Sequence, residues 1–334
     1  MKRALLYLAP LAGVSDAPMR VMSARFGADV CVTEMVSAEG LVRGSIRTQQ
    51  LLMRHPEEGP LVVQLYGGTV DTMAEAAEIV TAHGGFCGID VNAGCPVPKV
   101  LKCGAGSALM RNPVLIGRIV AGMAARTHLP ITVKTRIGLH PGAATVLAVI
   151  KAVEDAGGAG LTVHGRYASA GHGGPVDADQ LAMAVAATRL PIVVNGGVNT
   201  AADALSLLRA TGAAGIMIGR GAIGNPWLFA ETASASASGL APGSAQRTLN
   251  EGVVALKTHL ALAVDFHTKI RQAFPEKTWP SQSPEALAAC SFRLYLFNYF
   301  KGLPGASALR REMARCQSLE AIERVVETCL DAVE

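Results

Sequence analysis

The chain has 334 residues, 50% of them hydrophobic and 36 of them glycine, enough for one domain of about 230 to 250 residues and a smaller one beside it. This composition excludes a disordered chain. With aromatic residues at only 4%, the core must be built from Ala, Val, Leu and Ile, as in helices packed on a parallel sheet. A formal net charge of +4 permits a polyanionic partner without requiring one.

Cys31, Cys87, Cys95, Cys103, Cys290, Cys316 and Cys329 are odd in number and contain no Cys-x-x-Cys pair. Neither a disulfide framework nor a metal site is expected, and a reducing compartment fits. Met1-Lys2-Arg3 before Ala4 to Leu8 has the outline of a secretory leader, but Pro10, Gly13 and Asp16 interrupt the apolar stretch. No apolar run approaches the roughly 20 residues a bilayer crossing needs. The sequence therefore predicts a soluble, cytoplasmic protein; a monomer is expected, though no residue pattern fixes the oligomeric state.

In chain order one pattern repeats: a short apolar run, a polar or glycine-rich turn, then a longer Ala-rich stretch with helical spacing. The predicted strands are Leu5–Ala9, Val30–Glu34, Leu61–Leu65, Gly88–Asn92, Ile131–Thr135, Gly160–His164, Ile192–Asn195 and Gly215–Ile218, about 25 to 40 residues apart as βα units require. Amphipathic helices are predicted between them, for example at Thr72–His83, Pro113–Thr127, Thr145–Ala156 and Thr200–Ala210. Such repetition closes a TIM (β/α)8 barrel.

Barrel active sites assemble at the carboxyl ends of the strands. Here those ends carry Ala9-Pro10-Leu11-Ala12-Gly13, Glu34-Met35, Gln64, Asn92 with Cys95, Lys134 with Arg136, His164 with Arg166, Asn195-Gly196-Gly197 and Gly219-Arg220-Gly221. That is more polarity than a packed core tolerates without a bound partner. Gly196-Gly197 and Gly219-Arg220-Gly221 occupy the place after strands seven and eight where barrels often hold a phosphate, with Arg220 available to complement its charge. Lys134 and Gln64 at the opposite side suit flavin mononucleotide (FMN), since a cation near the pyrimidine ring offsets the charge a reduced flavin develops there, and His164 could add a donor. Arg136 either shares the Lys134 strand face and reaches the mouth, or lies in the loop in a surface ion pair. Cys95, on the turn after a buried strand, is either a chemical thiol or a small buried hydrophobe.

Ala9-Pro10-Leu11-Ala12-Gly13, Asn92-Ala93-Gly94-Cys95-Pro96 with downstream Gly104-Ala105-Gly106-Ser107-Ala108-Leu109, Lys134-Thr135-Arg136, His164-Gly165-Arg166, Asn195-Gly196 and Gly219-Arg220-Gly221-Ala222 together resemble the tRNA-dihydrouridine synthases, with spacing nearest the bacterial DusB type. The resemblance runs from about Leu8 to Phe229 and more faintly beyond. It implies an enzyme that uses NADPH-reduced FMN to saturate the C5–C6 bond of a D-loop uridine in tRNA, hydride passing from flavin N5 to C6 while Cys95 gives a proton to C5. A thiol remains protonated at neutral pH where a carboxylic acid would be ionised. Carried over by position, FMN is held by Pro10, Leu11, Ala12, Gln64, Lys134, His164, Asn195, Gly196, Gly197, Gly219 and Arg220. Asn92 faces the uracil, and Arg136 and Arg166 serve the substrate side. The chain departs from the pattern after Arg166, where Tyr167 and Ala168 stand in place of Thr and Arg, and at Gly197, where an acidic residue is common. Tyr167 and His172 either stack on a base or ribose or belong to an ordinary loop.

The Ala, Ser and Gly content of Glu231 to Gln246 reads as a connector leaving a barrel domain of residues 1–238. Residues 239–334 are expected to form a small helical bundle from Leu249–Gln272, Pro284–Phe300, Ala306–Cys316 and Leu319–Val333. The resemblance makes this the tRNA-gripping domain, with Arg293, Lys301, Arg310, Arg311 and Arg315 as its clustered positive groups. Leu294 and Tyr295 stand where DusB-like chains usually carry Lys and His. Two rival readings are a flavin barrel acting on a free pyrimidine, as dihydroorotate dehydrogenase does, and a catalytically idle RNA-binding regulator.

Overall fold

The computed structural model describes residues 3–238, 248–275, 283–301, 311–312, 315–316 and 318–331. Eight parallel strands close into a barrel in sequence order, β1 Leu5–Leu8, β2 Val30–Ser37, β3 Leu61–Tyr66, β4 Gly88–Asn92, β5 Ile131–Arg136, β6 Gly160–His164, β7 Ile192–Asn195 and β8 Gly215–Ile218. Their apolar outward residues, among them Leu6, Leu8, Val63, Ile89, Val91, Val133, Val163 and Ile216, pack under the helices in the main core. That double coverage is what a parallel sheet needs to bury both faces.

The outer helices are α1 Ala17–Arg25, α2 Ala38–Val42, α3 Ile46–Gln49, α4 Val70–His83, α5 Pro98–Leu101, α6 Pro113–Ala124, α7 Val146–Asp155, α8 Ala178–Ala186, α9 Ala201–Thr211 and α10 Trp227–Ser238. Several begin on side-chain caps that accept an otherwise orphaned N–H. Asp16 accepts from Met19, Asn112 from Leu115 ahead of Pro113, and Asp177 from Gln180; Thr200 and Asp203 form a reciprocal capping box.

Two expectations are corrected. β2 runs on to Ser37, with a register shift against β3 between Val32 and Met35. At this bulge the Thr33 hydroxyl, not a backbone carbonyl, accepts from the Gln64 N–H at 3.1 Å, and the strand is re-aimed there. The expected connector after Glu231 is helical through Ser238, because Leu228, Phe229, Thr232 and Ala235 form a buried stripe on α10; residues 239–247 lie outside the described residues.

Beyond the barrel lie α11 Leu249–Ala273, α12 Pro284–Tyr299 and α13 Leu319–Asp331. Most of the predicted helix Ala306–Cys316, together with Arg310 and the side chain of Arg293, lies outside the described residues. α11 starts on a Thr248–Glu251 capping box and α12 on Ser283 followed by Pro284. Leu256, Leu260, Phe292, Tyr295, Tyr299 and Phe300 join the same core as the barrel helices, and Trp227 stacks edge-on against both Phe26 and Tyr299. Tyr295, at the position that departs from the DusB pattern, donates its hydroxyl to the Val14 carbonyl in the loop after β1. No described helix is long and apolar enough to cross a membrane.

Candidate active site

Strand alternation sorts the barrel interior into levels. Tyr7, Val32, Val62, Val193 and Met217 form a separate apolar cluster with Ala9 and Leu11. Two residues further along their strands from Val62 and Val193 stand Gln64 and Asn195; Asn92 and His164 end β4 and β6 beside them, and Lys134, in register with Asn92, lies two residues before the end of β5. Above this polar level opens a cavity of about 550 Å³. Its wall includes every site residue expected from the sequence: Pro10, Leu11, Ala12, Gln64, Asn92, Cys95, Lys134, Arg136, His164, Arg166, Asn195, Gly196, Gly197, Gly219 and Arg220. Met35, His172 and Asn199 also line it. Met35, named with Glu34 at the expected end of the second strand, arrives through the β2 bulge.

The half-buried Cys95 sits on a loop anchored from two sides. The Asn92 carboxamide oxygen accepts the N–H groups of Gly94 at 3.2 Å and Cys95 at 3.0 Å. From the other side, the Ser107 N–H donates to the Cys95 carbonyl at 2.9 Å, and Gly106, at φ +64°, lies where a Cβ would come within 2.5 Å of that carbonyl. The downstream glycine segment therefore packs directly on the cysteine loop, which gives its sequence pattern a steric reason. Asn92 Nδ2 donates to Gln64 Oε1 at 2.8 Å and to Met35 Sδ at 3.0 Å, and Gln64 Nε2 donates to buried Asp90 at 2.8 Å.

Beside this loop the wall is cationic. Lys134 Nζ donates to Asn195 Oδ1 at 3.1 Å, and Asn195 Nδ2 donates to the Met217 carbonyl at 2.7 Å, so both ends of that carboxamide are fixed. Burial and the neighbouring Arg136 push the Lys134 ammonium down to about 8. Arg136 is itself buried at 3% exposure within β5, which rules out the surface ion pair. Its guanidinium donates to the carbonyls of Gly94, Tyr167 and Gly171 at 2.8, 3.2 and 2.7 Å. Arg166 Nε donates to the Gly174 carbonyl at 2.8 Å, and Arg220 Nη2 to that of His172 at 3.0 Å. The arginines are thus held by main-chain carbonyls. No Asp or Glu lines the cavity among the described residues.

Burial, then the Lys134, Arg136 and Arg166 charges, hold the His164 imidazole far below its ordinary range, so it is neutral. Arg166 Nη1 lies 3.3 Å from His164 Nε2. A guanidinium has no acceptor, so Nε2 must accept and the ring proton resides on Nδ1. The exposed His172 ring stacks on His164 with centroids 6.1 Å apart, whereas Tyr167 packs half-buried against the main core. Of the two loop rings considered from the sequence, only His172 faces the cavity.

At the ends of β7 and β8, the N–H groups of Gly196, Gly197 and Gly219 meet no protein acceptor among the described residues. Gly196 has φ +121°, and a Cβ there would come within 2.7 Å of His164; Gly197 has φ +72°. Side chains are therefore excluded at Gly196 and Gly197, which line the cavity together with Gly219 and Arg220. Such a cradle suits a phosphate, and no carboxylate lines the cavity around it among the described residues.

Residues 7–334 match the family model described as dihydrouridine synthase (Dus). The chain is 37% identical over 232 residues to tRNA-dihydrouridine synthase B of Xanthomonas axonopodis pv. citri, covering 70% of each chain. It is 36% identical over 226 residues to tRNA-dihydrouridine synthase B of Vibrio cholerae, covering 68% of this chain and 70% of the relative. Over longer spans it is 33% identical to a "Probable tRNA-dihydrouridine synthase" of Mycobacterium tuberculosis, covering 95% of this chain and 79% of that one. With a dihydrouridine synthase model matched from strand β1 to the last residue, onto a closed barrel whose mouth carries the expected thiol and cations, the chain belongs to the dihydrouridine synthase family and, within it, to the DusB type.

Proposed function

We propose that this oxidoreductase reduces a uridine in the D-loop of tRNA to 5,6-dihydrouridine, with FMN as its bound cofactor and NADPH as the electron source. The observation that carries the reading is one cavity in which a loop thiol faces a cation-rich, glycine-edged wall, in a chain of this family. FMN fits the donor set: Gly196, Gly197, Gly219 and Arg220 would take its phosphate. Pro10, Leu11, Ala12, Gln64, Lys134, His164 and Asn195 would take the rest. Bound and reduced by NADPH, the flavin supplies the hydride that reaches C6 of the uracil.

The remaining work falls to the chain's own groups. Lys134, oriented by Asn195, offsets negative charge at the cofactor's pyrimidine side, and neutral His164 presents its Nδ1–H. Asn92 lies beside the uracil, and Cys95 gives its thiol proton to C5 as general acid. Arg136 and Arg166 line the path of the substrate's phosphates. Exposed Lys301, Arg311 and Arg315 belong to the C-terminal part, from residue 239 onward, that grips the tRNA body.

The test separates the two half-reactions. Cys95→Ala should retain flavin and oxidise NADPH at the native rate, yet after prereduction its anaerobic reoxidation by unmodified tRNA should slow by about 10²- to 10⁴-fold, the usual contribution of a general acid. Reoxidation at the native rate would remove Cys95 from the chemistry.

A further inference from the structure

Asp90 lines no part of the cavity, is 4% exposed, and sits in the apolar strand β4 below Asn92. Burial holds its carboxyl up near about 6, against the hydrogen bonds from Gln64 and Thr132. A carboxylate at this depth costs stability unless its bonds matter.

Its bonds form a chain whose polarity is fixed at both ends. The Thr132 hydroxyl donates to Asp90 Oδ1 at 2.7 Å and Gln64 Nε2 to Asp90 Oδ2 at 2.8 Å. Gln64 Oε1 then accepts from Asn92 Nδ2 at 2.8 Å, and Asn92 Oδ1 accepts from the Gly94 and Cys95 N–H groups. Backbone N–H groups can only donate and an ionised carboxylate can only accept, so each carboxamide between them has one permitted orientation. Strand pairing sets the spacing, because Gln64 is in register with Asp90 and Asp90 with Thr132. Were Gln64 turned end for end, its NH2 would oppose the Asn92 NH2. Asn92 would then have to turn as well, and its NH2 would meet the Gly94 and Cys95 N–H groups it now holds.

We propose that Asp90 is a positioning residue that fixes the orientations of Gln64 and Asn92 and thereby the Cys95 loop. The inference rests on the reading of Cys95 as proton donor. Asp90 acts through two amides and touches neither cofactor nor substrate.

The rival role for Asp90 is a counter-charge for Lys134, whose ammonium it favours, and the two roles respond oppositely to Asp90→Asn. An asparagine can present its oxygen to Gln64 and its NH2 to the Thr132 oxygen, which keeps the polarity and removes the charge. Asp90→Leu removes both, and Gln64→Met breaks the chain in the middle with Asp90 intact.

The experiment reads two quantities in each variant. One is reoxidation of prereduced holoenzyme by unmodified tRNA. The other is peptide-resolved alkylation of Cys95 by iodoacetamide in flavin-free protein, with exposed Cys87 and Cys103 as internal references. Asp90→Leu and Gln64→Met should slow reoxidation by about 10²-fold, as a small misplacement of a reacting group does, and should raise Cys95 alkylation relative to the references. Asp90→Asn should match the native protein in both, and Asp90→Leu combined with Gln64→Met should be no slower than Gln64→Met alone. Asp90→Asn as slow as Asp90→Leu would overturn the proposal in favour of charge, and native values in Asp90→Leu or Gln64→Met would overturn it outright. Should Asp90→Leu not fold, Asp90→Asn decides on both readouts and Gln64→Met on Cys95 alkylation in flavin-free protein, because Gln64 is also assigned to the flavin. A native enzyme that leaves tRNA unreduced would instead fail the functional reading, with the alkylation result still standing on its own.

Discussion

Replacing Lys134 with methionine tests whether the barrel keeps a costly cation for the sake of an anionic ligand. The fall of the ammonium from 10.5 to about 8, caused first by burial and then by Arg136, corresponds to roughly 3 kcal/mol at about 1.4 kcal/mol per pH unit. Below pH 8 folded and unfolded chains both carry the charge, and the folded state bears this penalty in full. Between pH 8 and 10.5 the folded state loses its proton first, so the penalty shrinks and stability rises with pH. Methionine has no charge to lose. The variant also strands the Asn195 oxygen, at a cost of about 1–3 kcal/mol, but that cost is the same at every pH and cancels from the comparison. Urea unfolding of flavin-free native and Lys134→Met proteins should therefore give stability curves that diverge above pH 8, the native protein gaining roughly 3 kcal/mol on the variant by pH 10.5. In the same variant, flavin retention or reduction by NADPH should fall. Parallel curves would refute the buried-cation argument, and full flavin content with native reduction kinetics would refute the role of Lys134 at the cofactor.

Gly196→Ala puts a Cβ within 2.7 Å of His164 at a backbone φ of +121°; purified variant should lose flavin absorbance, and native flavin content would show that the β7 turn is no cradle. Arg20→Met should destabilise the protein by about 3–5 kcal/mol in urea unfolding, because Glu58, paired with Arg20 at 2.7 Å and 1% exposed, would be left buried and unpaired. A loss well under 1 kcal/mol would mean that water reaches that site. Affinity for tRNA should fall as salt rises, and Arg311→Glu with Arg315→Glu should weaken binding and flatten the slope while NADPH oxidation by the flavin persists. Unchanged affinity would move the footprint to the barrel rim.

The barrel is legible because each strand is a brief apolar run, and β4, β6 and β7 stop at a polar residue. The bounds of β4, β6, β7 and β8 coincide with the expected ones at Asn92, His164, Asn195 and Ile218. The two departures have local causes that composition hides. Thr33 substitutes its hydroxyl for a ladder carbonyl, so β2 bulges and continues past Glu34. Alanine and serine serve a loop or a helix equally, and only the burial of Leu228, Phe229, Thr232 and Ala235 decides for α10. Arg20 with Glu58, 38 positions apart, and Asp90 with Gln64, 26 apart, are invisible for another reason: each looks misplaced until its partner is known.

The site was easier to read than these supports because one period governs both its scaffold and its chemistry. A two-residue repeat sends Val63, Val91, Val133 and Val163 outward into the helical core, and the residues one further along, Gln64, Asn92, Lys134 and His164, inward to the cavity. Beneath Gln64 and Asn195 lies the apolar cluster that includes Val62, Val193 and Met217. Polarity at the upper level then costs little until a ligand is absent, and the depressed Lys134 ammonium is that cost in measurable form. Asp90 is the exception, an inward carboxylate one level too deep for the cavity. A strand that obeys the period at every other position gives that departure its weight, and the two carboxamides leading from it to the Cys95 loop give it a direction.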